Sequence, residues 1–87
     1  MHYQIRFKPS AAKELEKIDR PDQVRIAHRI DELSLHPRPA GAEKLKGIEG
    51  LYRLRVGDYR VIYMIEQDHL LVLVVKIGHR REIYRGF

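Results

Sequence analysis

The chain predicts an α+β domain in which a short N-terminal strand and a two-helix hairpin precede an antiparallel β-meander, with both helices packed on one face of the sheet. Three observations predict it. Residues 51–64 alternate apolar and polar side chains on either side of Gly57-Asp58, a two-residue hairpin turn. Residues 11–34 carry apolar side chains at helical spacing, bounded by Pro9-Ser10 and His36-Pro37. Residues 70–77 are apolar except for Lys76, the composition of a strand inside a sheet. Helices followed by a run of strands bury their apolar surfaces most economically when the helices gather on one sheet face.

Each element has its own signal. Tyr3-Gln4-Ile5-Arg6-Phe7 alternates and reads as the first strand. Pro9-Ser10 ends it, and Ser10 is placed as N-cap of a helix reaching about Ile18. Ala11, Leu15 and Ile18 form its apolar stripe, with Lys13, Glu14, Glu16 and Lys17 outside. Asp19-Arg20-Pro21 breaks that helix, and Pro21 suits the first turn of another. The second helix has two rows, Val24, Ala27, Ile30 or Asp31, and Ser34 beside Ile26, Ile30 and Leu33, which together give a broad apolar face, and it stops at His36-Pro37-Arg38-Pro39. Residues 40–50 contain three glycines and read as a connector, pinned to the core by Leu45 and Ile48. After the hairpin, residues 66–69 form a polar turn. Leu70 to Ile77 is then a central strand covered on both faces and ended by Gly78. Residues 79–87 close the chain, and 1–87 is expected to be one domain.

The hairpin sorts its side chains by chemistry. Closing the turn at Gly57-Asp58 sets Val56 against Tyr59, Leu54 against Val61 and Tyr52 against Tyr63, an apolar and aromatic face. The other face sets Arg55 against Arg60 and Arg53 against Ile62. Like charges on paired strands repel, and this face has no acid within it; the nearest, Asp58, sits in the turn. Arginines on a solvated sheet face are common, but a cluster with no internal counter-charge is better matched to an anion such as phosphate.

Composition narrows the classes. At 44% hydrophobic and 33% charged residues, the chain is expected to fold rather than stay disordered. It has no cysteine, which removes disulfides and thiolate metal sites and agrees with a cytoplasmic home. No N-terminal run resembles a signal peptide, and the longest apolar stretch, Leu70 to Val75, is too short to span a membrane. The net charge of +5 is concentrated towards the C-terminus and suggests nucleic acid or an acidic protein as partner. Phosphate-loop, dinucleotide-binding, zinc-protease and nucleophile-elbow motifs are missing, and the five histidines lack metal-ligand spacing, so neither metal nor other cofactor is expected.

What remains is a basic set, Arg53, Arg55, Arg60, Arg80, Arg81 and Arg85, with His79 and Tyr84 among them. Arginine forks bind phosphate oxygens and stabilise charge developing in phosphoryl transfer. Histidine is the residue type suited to giving or taking a proton, which makes His79 a candidate for proton transfer, and Tyr84 could stack on a base or hydrogen-bond near a phosphate. RNA carries its own nucleophile, the 2′-hydroxyl, so a cationic cleft with a modest acid or base is enough to cleave it.

Three segments in order resemble the RelE/ParE superfamily of toxins from bacterial and archaeal type II toxin–antitoxin modules. They are Leu51-Tyr52-Arg53-Leu54-Arg55-Val56, Tyr59-Arg60-Val61-Ile62-Tyr63, and Val74-Val75-Lys76-Ile77-Gly78-His79-Arg80-Arg81-Glu82-Ile83-Tyr84. The resemblance implies a RelE-like fold and a ribosome-dependent endoribonuclease, an mRNA interferase that cuts mRNA in the ribosomal A site. The 2′-hydroxyl would attack the adjacent phosphate, and a cognate antitoxin would hold the protein inactive. The antitoxin would cover the basic face or displace the C-terminal segment. By this resemblance Arg60 and Arg80 or Arg81 clamp the scissile phosphate, Tyr84 lies near the reacting group, and Arg53, Arg55 and Arg85 bind RNA. The best-known members carry lysines where Arg53 and Arg55 stand. Arginine does not release its proton, so proton transfer is assigned to His79. The alternative that the resemblance leaves open is a ParE-like toxin that poisons DNA gyrase and cuts no RNA.

Overall fold

Strand β1 (Gln4–Phe7) leads into helices α1 (Pro9–Glu16) and α2 (Arg20–Glu32), and then into strands β2 (Ala42–Lys44), β3 (Leu51–Val56), β4 (Tyr59–Glu66) and β5 (Leu71–His79). The structure, a computed structural model, describes residues 2–79. The strands form one five-stranded sheet in the order β1-β5-β4-β3-β2. Strand β1 pairs parallel with β5, and all other pairs are antiparallel. Parallel neighbours need a long crossover, and here almost the whole chain lies between them.

The hairpin has the register expected from its turn: Val56 opposite Tyr59, Leu54 opposite Val61, Tyr52 opposite Tyr63 and Arg55 opposite Arg60. Gly57 takes a positive φ of 59° at the turn, a conformation glycine adopts without strain. The helices cover the aromatic face. Ala11 from α1, and Ile26, Ile30 and Leu33 from α2 and its end, meet Leu54, Val61, Tyr63, Val72, Val74 and Ile77 of the sheet in one buried cluster.

Several boundaries differ from the sequence expectation, each for a physical reason. Helix α1 begins at Pro9, with Lys8 at the N-cap and no side-chain cap bond, so Ser10 lies inside the helix. The Lys8 amide is already bonded to the Val74 carbonyl at 2.9 Å, and proline supplies a first turn with no amide to satisfy. The helix stops at Glu16, while Ile18 beyond it still packs on the core. Val24 lies on the outer side of α2, 53% exposed, because Ile26 and Ile30 already fill the contact. Ile48 is 47% exposed; Leu45 alone of the expected pair packs inward, against Leu51 and Ile62. Part of the supposed connector is an edge strand, β2, with Ala42, Glu43 and Lys44 opposite Leu54, Arg53 and Tyr52. Three residues carry too little periodicity to announce a strand. Strand β5 runs through Gly78 to His79, because β4 continues to pair with it there. Its helix-side residues are buried, whereas Leu73 and Val75 on the other face are only half-buried. No helix among the described residues is long and apolar enough to cross a membrane.

An aromatic lock ties the segment after α2 to the sheet. The fully buried Tyr63 donates its hydroxyl hydrogen bond to the Pro37 carbonyl at 2.7 Å and stacks on Tyr52, with ring centroids 5.8 Å apart. Arg38 then donates to the Tyr52 hydroxyl at 2.9 Å and to the Gln67 side chain at 3.0 Å. Burial pushes the Tyr63 phenol up to about 12; neighbouring Tyr52 adds to the rise and Arg38 opposes it. The unfolded chain would release this proton near the ordinary value of 10, so the native state binds more protons above that pH. Stability from Tyr63 is therefore complete below pH 10 and falls as pH rises towards 12. Urea unfolding should show this alkaline loss in the wild-type protein and a smaller one in Tyr63→Phe. At neutral pH the same variant should lose about 1 kcal/mol, the net worth of one buried hydrogen bond.

Candidate functional site

The sheet face turned away from the helices carries the charged residues in rows set by strand pairing. Nearest the hairpin turn, Arg55 on β3 faces Arg60 on β4, which faces Gly78 on β5. The next row runs Glu43, Arg53, Ile62 and Lys76 across four strands. Beyond it lie Leu51, Met64 and Leu73. Ile62 and Leu51 are buried on this side beneath Leu45, Met64 and Val75, giving the basic rows an apolar floor. A side-chain-free residue opposite Arg60 leaves room for a ligand to approach that guanidinium.

The two facing arginines have only backbone acceptors among the described residues. Arg55 Nε donates to the Gly57 carbonyl at 3.4 Å, and Arg60 Nη1 donates to the Tyr59 carbonyl at 3.2 Å. Both bonds leave the remaining N–H donors of each fork available to a bound anion.

The expectation that this face holds no acid is corrected by β2. Glu43 stands directly opposite Arg53, and its Oε2 accepts from Arg53 Nη2 at 2.5 Å. The sequence did not reveal this because β2 itself was not legible. Lys76 is the second residue missed. It interrupts an otherwise apolar run, and that lone charge was the available signal; the structure sets it opposite Ile62 on the arginine face.

Of the residues expected at the site, Arg53, Arg55 and Arg60 come together. His79 does not join them. It pairs with Tyr59, and the two rings meet edge-on with centroids 5.7 Å apart. Tyr59 packs on the helix-side core, so His79 projects from the opposite face to Arg60. Arg80, Arg81, Tyr84 and Arg85 lie outside the described residues. Among the described residues, no three His, Asp or Glu side chains gather as a metal-binding group.

A helix pair on one side of a five-stranded sheet, with paired arginines on the other, is the α+β arrangement expected of a RelE-like fold. Comparison with known proteins agrees. Residues 5–84 match the family model described as the ParE toxin of the type II toxin–antitoxin system. Toxin RelG of Mycobacterium tuberculosis is 31% identical over 88 residues, covering 98% of this chain and 99% of the relative. The mRNA interferase toxin RelE of Escherichia coli K12 is 30% identical over 88 residues, covering 97% and 92%. Among solved structures, the archaeal RelE–RelB complex from Pyrococcus horikoshii superposes with a TM-score of 0.82 at 29% identity, covering 92% of this chain and 97% of that one. The chain belongs to the RelE/ParE superfamily of type II toxins.

The facing arginines have a measurable cost. Repulsion between directly opposed like charges in a sheet amounts to a few tenths of a kcal/mol to about 1 kcal/mol. Arg55→Thr, which removes it and keeps a strand-favouring side chain, should raise the urea midpoint. A fall instead would mean that Arg55 is held by favourable interactions that outweigh the repulsion.

Proposed function

We propose that this toxin is an mRNA interferase of the RelE branch, a metal-independent endoribonuclease that acts on ribosome-bound mRNA in the A site and is neutralised by a cognate antitoxin. The observation that carries this reading is the Arg55–Arg60 pair, two arginines directly opposite in the strand register with backbone carbonyls as their acceptors. A structural role would favour a carboxylate between them. A phosphodiester fills the same place with its own negative oxygens. The match to the interferase of E. coli and the solved complexes of relatives with their antitoxins support the activity and the partner.

The chemistry follows from what each group can do. The RNA 2′-oxygen attacks the adjacent phosphorus and the bond to the 5′-oxygen breaks, leaving a 2′,3′-cyclic phosphate and a 5′-hydroxyl. Arg55 and Arg60 stabilise the charge that builds on the phosphoryl oxygens. The 2′-hydroxyl proton needs an acceptor, and guanidinium groups cannot serve. Glu43, a carboxylate on the same face and beside Arg53, is assigned that role in place of His79, which lies with Tyr59 across the sheet. The leaving 5′-oxygen takes its proton from solvent. Arg80 or Arg81 and Tyr84 remain assigned to the phosphate and the base by family resemblance, and Arg85 to RNA binding.

The direct test is cleavage of mRNA on programmed ribosomes by folded, antitoxin-free protein, with 5′-end mapping and a ribosome-free control. Cuts in the A-site codon, unaffected by a chelator, are expected. Absence of cleavage would overturn the reading and direct attention to DNA gyrase, the target of ParE-type relatives. Arg60→Ala should lower the cleavage rate by about a hundredfold or more while leaving antitoxin binding and the melting temperature intact. Glu43→Gln should lower the single-turnover rate without weakening substrate binding. A loss confined to binding would remove Glu43 from proton transfer.

A further inference from the structure

Strand β5 breaks the alternation of side chains that a regular strand obeys. Val72 and Val74 are fully buried beneath the helices. Continued alternation from them would aim Lys76 into the same core and Ile77 at the arginine face. The pairing with β4 shows otherwise. Tyr63 stands opposite Val74, but Ile62 stands opposite Lys76 and Val61 opposite Ile77, with a register shift between Ile62 and Tyr63. Val75 is the extra residue of a β-bulge.

The bulge has two consequences. Ile77 turns into the helix-side core, where it is 1% exposed. Val75 and Lys76 both fall on the other face, Val75 packing on the Leu51–Ile62 cluster. A bulge interrupts the ladder and leaves a residue unpaired, so it is retained where the side chain it re-aims has a use. Burying an ammonium under α1 would cost several kcal/mol, which explains why Lys76 cannot point inward. It does not explain why a lysine stands there, because an apolar residue on an unbulged strand would have packed against the helices directly.

We propose that Lys76 is a further phosphate-contacting residue of the RNA face, delivered there by the β5 bulge. The proposal rests on the endoribonuclease reading. Lys76 lies across β4 from Arg53, with Ile62 between them, and diagonal to Arg60, a separation of about 7–8 Å between backbones in a sheet. Arg53, Arg55, Arg60 and Lys76 then surround the Ile62 floor on both sides. Lysine is a point charge on a flexible stem rather than a planar fork. It suits a phosphate beside the scissile one, leaving the two-pronged contacts to the arginines.

The test is single-turnover cleavage on programmed ribosomes at several salt concentrations, comparing wild type, Lys76→Gln, Lys76→Arg and, as a control, Lys13→Gln on the exposed side of α1. Lys76→Gln is expected to lose about tenfold to a hundredfold in apparent affinity, as for a hydrogen bond to a charged group. Its dependence of affinity on salt should become shallower by about 0.7 in logarithmic slope. Lys76→Arg should recover most of the loss, and Lys13→Gln should behave as wild type. Melting temperatures report whether each variant is folded; should Lys76→Gln fail to fold, the salt slope of Lys76→Met against Lys76→Arg decides the same point. Unchanged cleavage by folded Lys76→Gln, with Arg60→Ala inactive, would overturn the role of Lys76 and leave the endoribonuclease reading standing. Lost antitoxin affinity with normal cleavage would assign Lys76 to the antitoxin instead, and an inactive wild-type protein would remove both readings together.

Discussion

Strand β4 occupies the centre of the sheet, and the separation of its two faces is the constraint on which the rest of the structure depends. Val61, Tyr63 and Ile65 are buried against the helices, while Arg60, Ile62 and Met64 take the other side. A slip of one residue in β3 would drive Arg53 and Arg55 into the core and Tyr52 out of it. The penalty for burying an unpaired guanidinium is several kcal/mol, a large share of what a domain of this size has to spare. Register is therefore enforced by the core, and the site inherits its geometry from that enforcement. The helices contribute nothing to the charged face directly. By covering the aromatic side they fix which side chains are left over.

Much of this was legible because the hairpin announces itself. Gly57-Asp58 and the alternation around it specify turn, register and both faces, and the structure follows that pattern residue by residue. The helix pair was visible in the spacing of Ile26, Ile30 and Leu33. What escaped depended on pairing that short-range pattern does not encode. Strand β2 is three residues long and is defined by its contact with β3, so Glu43 could not be matched to Arg53 beforehand. The bulge in β5 is a property of how two strands fit, and without it Lys76 reads as a residue facing the helices. His79 was misdirected in the same way. Four positions after the bulged residue Val75, its face is set by Tyr59 opposite and not by its nearness in sequence to the arginines that follow.

The charged face is also poorly optimised for stability, in a direction that makes sense for a ligand site. A sheet selected only to fold would alternate signs across Arg55 and Arg60, as Glu43 does across Arg53. Instead one ion pair sits at the sheet edge and the uncompensated pair sits inward, over the apolar floor. That arrangement raises the local positive potential where solvent is partly excluded, and an anion placed there meets donors already oriented. On the proposed function, stability given up in the free protein is recovered when phosphate binds.

The Glu43–Arg53 pair then has a part that neither residue has alone. An exposed ion pair contributes about 0–1 kcal/mol, so opening it to admit RNA is inexpensive. An RNA phosphate accepts two parallel bonds from a guanidinium at least as well as a carboxylate does, and Arg53 loses little by changing partner. On the proposed function, the Glu43 carboxylate is then left beside the RNA backbone, on the face where the 2′-hydroxyl proton must go. In the free protein the Glu43 carboxylate stays exposed to solvent while it pairs with the guanidinium. The arginines at positions 53 and 55 hold their protons and cannot serve as the acceptor. The proposed function therefore divides the work between a cation that binds and an acid from the neighbouring strand that accepts.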